Sequence, residues 1–237
     1  CSTAANSEMH QTNYEVEPDY LIDWLKEVIK LKECNEIEAN IDSVGEPTAY
    51  PHLVELIQKI KAIKEIKFIS MQTNGTLLTK DLIKNLESAG LNRINISLHT
   101  LNEEKAKQLF GNQNYNLKKV LESIKEISKT KIQLNLVPVW LPKVNDEDLI
   151  ELIRFAKELN CLIGIQKYEI YKFSRKEKKA KQLTWFKFFR HLKALETAEN
   201  YKLMQTANDF NIKKTKRIPL VFEKNEIINA TVICKGW

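Results

Sequence analysis

Strand-like and helix-like segments alternate along residues 37–168, and this alternation constrains the fold more than any other feature of the sequence. Short apolar segments typical of strands lie at 37–41, 66–71, 93–98, 131–137 and 162–168. Segments with helical spacing of apolar residues separate them, at 53–63, 80–89, 117–127 and 146–159. Because strands joined by helices form right-handed parallel crossovers, the sequence predicts an α/β fold with a parallel sheet, either barrel-like or doubly wound.

Polar residues follow each predicted strand, at the position where the strand ends. In a parallel sheet the carboxyl ends of the strands lie at one edge, and ligand sites form there. No segment matches a glycine-rich dinucleotide motif or a phosphate-binding loop motif. The sequence therefore predicts a site for another small polar ligand at this edge. The strand-end segments are Ser43–Pro47, Gln72–Thr76, Ser97–Thr100, Asn135–Pro138 and Gln166–Glu169.

The first strand end has the residue types of a ligand loop. Gly45 allows a close approach of the backbone to a small molecule, and Pro47 prevents the strand from continuing. Glu46 is held between them. An ordinary strand-to-helix turn with a solvated glutamate is the alternative interpretation of this loop when it is taken alone.

Composition and cysteine spacing exclude several classes of protein. The 37 Lys and Arg residues against 31 Asp and Glu residues give a net charge of +6, which permits contact with phosphates without requiring it. No apolar run is long enough to span a bilayer and no export signal is evident, so we predict a cytoplasmic protein with no membrane partner. The cysteines at 1, 34, 161 and 234 are too scattered to indicate a disulfide framework.

Three segments at successive strand ends match, in order, the motifs of one known family. They are Gly45-Glu46-Pro47 for G-G-E-P, Thr73–Leu78 for T-N-G-T-L-L, and Asn95–His99 for a strand ending in S-L-H. On these motifs residues 1 to about 168 resemble the radical S-adenosylmethionine (radical SAM) superfamily. The resemblance implies a partial (β/α)6 barrel of TIM type, of which strands two to six are present.

The resemblance gives a role to the first residue of the chain. The family holds a [4Fe-4S] cluster on three cysteines spaced C-x-x-x-C-x-x-C, and Cys1 lies where the third of these is expected. The first strand and two cluster cysteines would then lie upstream, and this fragment is expected to be inactive, since such a cluster ordinarily takes several protein ligands. If the resemblance were false, Cys1 would be an ordinary terminal residue.

The resemblance also implies a set of residues that bind S-adenosylmethionine. Glu46 and the Gly45 carbonyl would hold the ammonium group, with Pro47 in the same cofactor-binding loop, although Val44 stands where the family motif has its first glycine. His99 is a further candidate, with a purely structural role as the alternative. An amide that only satisfies neighbouring backbone is the alternative for the asparagine and glutamine candidates. The remaining candidates are Thr73, Ser97 and Asn135 for the carboxylate or ribose, Gln166 and Tyr168 for the adenine or the substrate, and Asn74 for the cofactor without a more specific role.

The implied reaction is reductive cleavage of S-adenosylmethionine, which gives a 5′-deoxyadenosyl radical that abstracts a hydrogen atom from the substrate. The protein would position the substrate and exclude water. An electron donor such as ferredoxin or flavodoxin is implied as a partner.

The composition changes after the predicted barrel. Basic stretches at 172–181 and 213–217 flank a predicted aromatic helix, and the alternation after Pro219 predicts the start of a small β module. Basic residues interleaved with aromatic ones can follow a nucleic-acid backbone, which favours RNA, and tRNA in particular, as the substrate. A solvated linker and a core helix are the alternative. We divide the chain into a barrel at 1–175, a helical connector at 176–212 and a β module at 213–237.

Two other functions stay open at the level of sequence. A radical SAM enzyme of this kind could instead act on a small metabolite or a peptide, with the basic stretches forming ordinary surface. The other alternative belongs to a different class, a barrel-derived binding or scaffold protein without a cluster.

Overall fold

The computed structural model describes residues 15–42, 45–170, 176–210, 214–218 and 220–231. Helices and parallel strands alternate along most of this length. No helix within these ranges is both long and apolar enough to cross a membrane. The helices are α1 Pro18–Lys32, α2 Leu53–Lys61, α3 Lys80–Ala89, α4 Glu103–Phe110, α5 Leu117–Ile127, α6 Asp146–Glu158 and α7 Trp185–Glu199, with a short 3-10 helix at Pro47–Ala49. The strands are β1 Ile37–Ile41, β2 Ile66–Thr73, β3 Arg93–Ile96, β4 Gln133–Leu136, β5 Val139–Trp140, β6 Leu162–Ile163 and β7 Gln166–Lys167.

Five strands form one parallel sheet in the order β1-β2-β3-β4-β6. Strands β5 and β7, which continue from the ends of β4 and β6, form a second parallel pair. This arrangement confirms the predicted α/β fold and the five predicted strands. It agrees with a partial barrel and not with a doubly wound sheet, because each strand of the main sheet lies beside the next one along the chain.

The two faces of the sheet differ sharply in polarity, because successive side chains of a strand point to opposite faces. One face is apolar and packs against the helices, as Ile69, Met71, Ile94 and Ile96 show by being completely buried. The other face carries polar side chains from every strand of the main sheet except β6. These are Glu38 and Asn40 of β1, Ser70 and Gln72 of β2, Arg93 and Asn95 of β3, and Gln133 and Asn135 of β4.

Local capping explains where several helices begin. Thr79 accepts a hydrogen bond from the Leu82 N–H at the start of α3, and Asn116 accepts one from Lys119 at the start of α5. Helix α4 was not predicted. Its signals were present in the sequence, since Asn102 caps its first turn and Gly111 ends it in a left-handed conformation.

The C-terminal part of the chain agrees only partly with the predictions. Helix α7 forms where the aromatic helix was predicted, and it buries Phe188 and Leu192 against the rest of the protein. Residues 214–218 and 220–231 contain no strand, and the other residues of the predicted β module lie outside the described positions. Their apolar side chains have few contacts, since Leu220 is 93% exposed and Ile227 is 97% exposed. The domain boundaries stay a prediction.

Gly75 is the one glycine of the predicted site loops whose backbone and surroundings both require glycine. Its φ is +78°, and a Cβ there would lie 3.1 Å from Cγ1 of Val120. We expect Gly75→Ala to lower the free energy of unfolding by about 1 to 2 kcal/mol, measured by urea denaturation. Gly111→Ala is the matched control, because Gly111 is also left-handed at φ 65° but is exposed. An equal loss in both variants would show that contact with Val120 contributes nothing.

Candidate functional site

The carboxylate of Glu46 joins the loop after β1 to the loop after β2. Its Oε1 accepts hydrogen bonds from the Thr73 hydroxyl at 2.5 Å, the Thr48 hydroxyl at 2.6 Å and the Thr48 N–H at 3.1 Å. Its Oε2 accepts from the Asn74 N–H at 2.8 Å. The structure therefore brings together three residues that the sequence predicted for the site, namely Glu46, Thr73 and Asn74.

Thr73 and Asn74 support these loops through contacts of their own. The Thr73 side chain is buried, and besides donating to Glu46 its hydroxyl accepts the Gly75 N–H at 3.0 Å. The Asn74 side chain accepts from both the backbone N–H and the hydroxyl of Thr76. Both side chains therefore stabilise the conformation of the two loops. Pro47 is buried at the start of the short 3-10 helix, and Gly45 is exposed beside it.

The other predicted residues lie along the polar face of the sheet. The Ser97 hydroxyl accepts from the Gln72 side chain at 3.4 Å, and the Asn135 amide donates to Oδ1 of Asn95 at 2.8 Å. Gln166 is exposed at the start of β7. Side-chain amides from β2, β3 and β4 thus lie side by side, which the alternation of each strand predicts once the register is known.

A cavity of about 550 Å³ lies against this polar face. Its wall on the sheet includes Gln72, Arg93, Asn95, Asn135 and Gln166, and its opposite wall is apolar. The size is that of a pocket for one small molecule. The apolar wall is formed mainly by Trp185, Phe188, Phe189 and Leu192 of α7, and by Leu203, Met204 and Phe210 after it.

Two buried charged pairs in this region were missed by the sequence reasoning. Arg93 of β3 donates through Nη2 to the Glu38 carboxylate of β1, which also accepts from the Ser70 hydroxyl. Burial lowers the pKa of Arg93 from its ordinary value, and the Glu38 charge opposes that shift. Lys167 is the other buried cation among the described residues, and its Nζ lies 2.6 Å from Glu169 and 4.7 Å from the centre of the Trp185 ring. The sequence signal that could have indicated these pairs is a charged residue at an inward-facing position of β1, β3 or β7.

His99 and Tyr168 are both buried, and both have structural contacts. Nδ1 of His99 accepts the Val139 N–H at 3.2 Å, and its ring stacks on Phe110 at 4.9 Å. The Tyr168 hydroxyl accepts the Glu177 N–H at 3.0 Å. Neither residue lines the cavity on the polar face. These contacts favour the structural alternative for His99 that the sequence left open.

Burial lowers the pKa of His99 to about 3, and this makes stability depend on pH. The unfolded chain takes up a proton near the ordinary value of 6.5, whereas the folded chain does not. The contribution of neutral His99 to the free energy of unfolding is therefore fully present above pH 6.5 and is lost as the pH falls toward 3. Between pH 7 and 5 we expect the loss to be about 2 kcal/mol. Urea unfolding of the native protein and of His99→Gln at both pH values measures this loss as the difference between their free energies of unfolding. If both free energies changed equally between pH 7 and 5, the prediction would be wrong.

No described cysteine lies at the edge of the sheet where the predicted site residues meet. Cys34 precedes β1 and Cys161 precedes β6, so both are at the opposite, amino-terminal edge. Burial raises the pKa of Cys161 to about 12, which keeps it a thiol and a poor metal ligand. Cys1, the predicted cluster ligand, lies outside the described residues, as do Ser43 and Val44.

Comparison with known proteins gives both sequence and structural relatives. Residues 1–156 match the radical SAM superfamily. An uncharacterized protein of Methanocaldococcus jannaschii is 35% identical across 97% of this chain and 58% of its own length. The GTP 3′,8-cyclase of Aquifex aeolicus is 36% identical across 52% of this chain and 38% of its own length. The chain thus spans 58% or less of the length of these relatives.

Solved structures share the fold at low sequence identity. The anSMEcpe protein with bound S-adenosylmethionine aligns at a TM-score of 0.60 and 19% identity, over 83% of this chain and 57% of that one. SuiB of Streptococcus suis with its precursor peptide SuiA aligns at 0.61 and 18% identity, over 82% and 42%. The family match covers more than half of the chain, and the parallel sheet agrees with it. The chain therefore belongs to the radical SAM superfamily, whose members use a 4Fe-4S cluster and S-adenosylmethionine.

Proposed function

We propose that this protein is a radical SAM enzyme whose substrate is a small molecule or a short segment held in the cavity on the polar face of the sheet. The observation that carries the proposal is the cavity itself. Side-chain amides of three neighbouring strands form one wall and the aromatic residues of α7 form the other, so a partly polar ligand would contact a polar and an apolar wall at once. A large nucleic acid would not fit within a cavity of about 550 Å³.

The loops at the carboxyl edge of the sheet have groups that fit S-adenosylmethionine. Among the described groups, Oε2 of Glu46 accepts only the Asn74 N–H, and a carboxylate oxygen has room for a second donor such as the ammonium group. The Ser97 hydroxyl accepts from Gln72, which leaves its own O–H able to donate. Gly45 and Gln166 complete the set that we assign to the cofactor, while Thr73, Asn74 and Pro47 hold Glu46 in place.

When bound, the cluster and S-adenosylmethionine supply a radical that abstracts a hydrogen atom. The side chains of this chain would do the remaining work, which is to orient the substrate and keep water out. We assign Cys1 to the cluster, as one of the three cysteines of the family motif. An external electron donor such as ferredoxin or flavodoxin would reduce the cluster.

Three substrate classes can be compared directly. Sequence relatives act on GTP according to their names, and SuiB binds a precursor peptide, so a nucleotide and a peptide are the first two. RNA is the third, predicted from the basic stretches. Of these stretches Lys178, Lys179 and Lys181 are exposed, but Lys216 pairs with Glu33 at 2.7 Å. The cavity favours the first two classes over RNA.

The proposal is tested with the complete protein reconstituted with iron and sulfide under anaerobic conditions. We expect reductant-dependent release of 5′-deoxyadenosine, stimulated by a nucleotide or a peptide and not by tRNA. Glu46→Gln should reduce this release at least tenfold, whereas Glu104→Gln, a change at an exposed carboxylate of α4, should not. A fully loaded protein that releases no 5′-deoxyadenosine with any of the three would overturn the proposal.

A further inference from the structure

Arg93 has hydrogen-bonding capacity that the described protein leaves unused. Its guanidinium lies between the rings of Phe68 and Phe210, each 4.9 Å from Cζ, and Nη2 donates to Glu38. Nε and Nη1 are buried and have no hydrogen-bond partner among the described residues. Arg93 is 5% exposed and lines the cavity on the polar face. A buried charged donor is ordinarily satisfied, so these N–H groups call for an acceptor.

A buried acceptor in the same cavity wall is also unused. Asn135 is 4% exposed and donates to Asn95, but its Oδ1 has no partner in the described part of the chain. Asn135 lies opposite Asn95, two residues beyond Arg93 in the register of β3 and β4. The side chains of Arg93 and Asn135 are therefore on the same face of the sheet, on neighbouring strands and two register positions apart.

The unused donors in the cavity wall belong to a charged group. Arg93 and Lys167 are the cations in its wall, and Glu169 is the carboxylate there. Glu38, which pairs with Arg93, is not among the lining residues. Glu169 already pairs with Lys167 at 2.6 Å. Each cation is thus paired with a carboxylate, but Nε and Nη1 of Arg93 are left without a partner among the described residues, and N–H groups of a charged guanidinium bind an anionic oxygen more strongly than a neutral carbonyl.

We propose that the cavity binds a small molecule whose anionic oxygen group accepts from Arg93 and whose N–H group donates to Oδ1 of Asn135. An apolar or ring portion of the same molecule would pack against Trp185, Phe188 and Phe189 of α7. This assignment rests on the proposed function, names its substrate class, and gives Asn135 to the substrate instead of the cofactor. A nucleoside phosphate and an aromatic amino acid both have these three features.

Calorimetric titration of the chain, without iron and without reductant, tests the assignment. The probes are GMP and phenylalanine, each compared with a counterpart that lacks only the anionic group, guanosine and phenethylamine. We expect one of the two acids to bind at least tenfold more tightly than its counterpart, and which acid binds identifies the source of the anionic group. If neither acid binds more tightly than its counterpart, the assignment is wrong.

Two variants locate the binding. Gly164 lies in the cavity wall, where a Cβ would meet the Asn135 amide at 3.6 Å, an ordinary contact distance. Gly164→Leu fills this space without altering Arg93, and it should weaken the acid at least tenfold. Arg93→Lys keeps the charge with fewer donors and should weaken it as well. Arg154→Met, at an arginine with a side chain 64% exposed, is the control and should bind as the native chain does.

Unchanged binding in a folded Gly164→Leu protein would place the acid elsewhere and overturn the assignment. Thermal unfolding of each variant shows whether it is folded. Because the titration needs no cluster, its failure is distinct from failure of the proposed function. Binding without release of 5′-deoxyadenosine would refute the function alone, and release without this anion dependence would refute the assignment alone.

Discussion

Replacement of Glu38 by alanine is expected to lower the free energy of unfolding by about 3 kcal/mol. The reason is that Arg93 would keep its charge while losing the carboxylate that compensates it. The Arg93 side chain is 7% exposed and that of Glu38 is 17% exposed, so little solvent reaches the pair. The Ser70 hydroxyl would lose one of its two acceptors in the same variant and keep Oδ1 of Asn40. Chemical denaturation measures the loss.

Asp23→Ala is the matched control for this prediction. Asp23 pairs with Lys26 on α1 at 3.5 Å, but both side chains are more than half exposed. Ion pairs of this kind contribute little because water already solvates both charges. Equal stability of Glu38→Ala and Asp23→Ala would show that the Arg93 pair is not the buried contact described above.

Asn145→Leu is expected to destabilise the protein by about 2 to 3 kcal/mol. Asn145 is completely buried and its side chain satisfies three backbone groups at once. Its Nδ2 donates to the His99 carbonyl at 3.2 Å and the Val139 carbonyl at 3.0 Å, and its Oδ1 accepts the Leu141 N–H at 2.8 Å. Leucine has a similar volume but leaves all three groups unpaired. Urea unfolding with an unchanged m-value gives the difference.

Asn85 provides the comparison for this variant, since it lies exposed on α3 and the same change to leucine alters no buried hydrogen bond. We expect Asn85→Leu to unfold close to the native midpoint. A native-like midpoint for Asn145→Leu would contradict the bridging role of this asparagine between the end of β3 and the start of α6.

The local sequence pattern was sufficient to predict most of the helices and strands of the fold. The apolar spacing of Ile66–Met71 and of Leu117–Ile127 predicts a strand and a helix because each pattern has the period of one regular structure. The polar residues at the strand ends were predicted as a group because the carboxyl ends of parallel strands lie at one edge of the sheet. Helix α4 was missed because its stretch has a weak apolar pattern, and only the caps at Asn102 and Gly111 mark it.

Pairwise contacts within the site could not be predicted from sequence. Whether Glu46 faces a ligand or holds the next loop depends on the position of Thr73, 27 residues away. The pairing of Glu38 with Arg93 likewise depends on which strands are neighbours and on their register. Exposed apolar residues after position 219 have a strand-like alternation, but alternation alone does not supply the partner strands that a β module needs.

The contrast between the two faces of the sheet separates the requirements of folding from those of recognition. Ile94 and Ile96 point toward the helices, whereas Asn95, between them, points toward the cavity. Replacing neutral amides such as Gln72 and Asn95 by other residues would change which ligand binds. The apolar side chains on the other face of the sheet would stay the same. Descendants of such a protein can therefore diverge in specificity without rebuilding their interior.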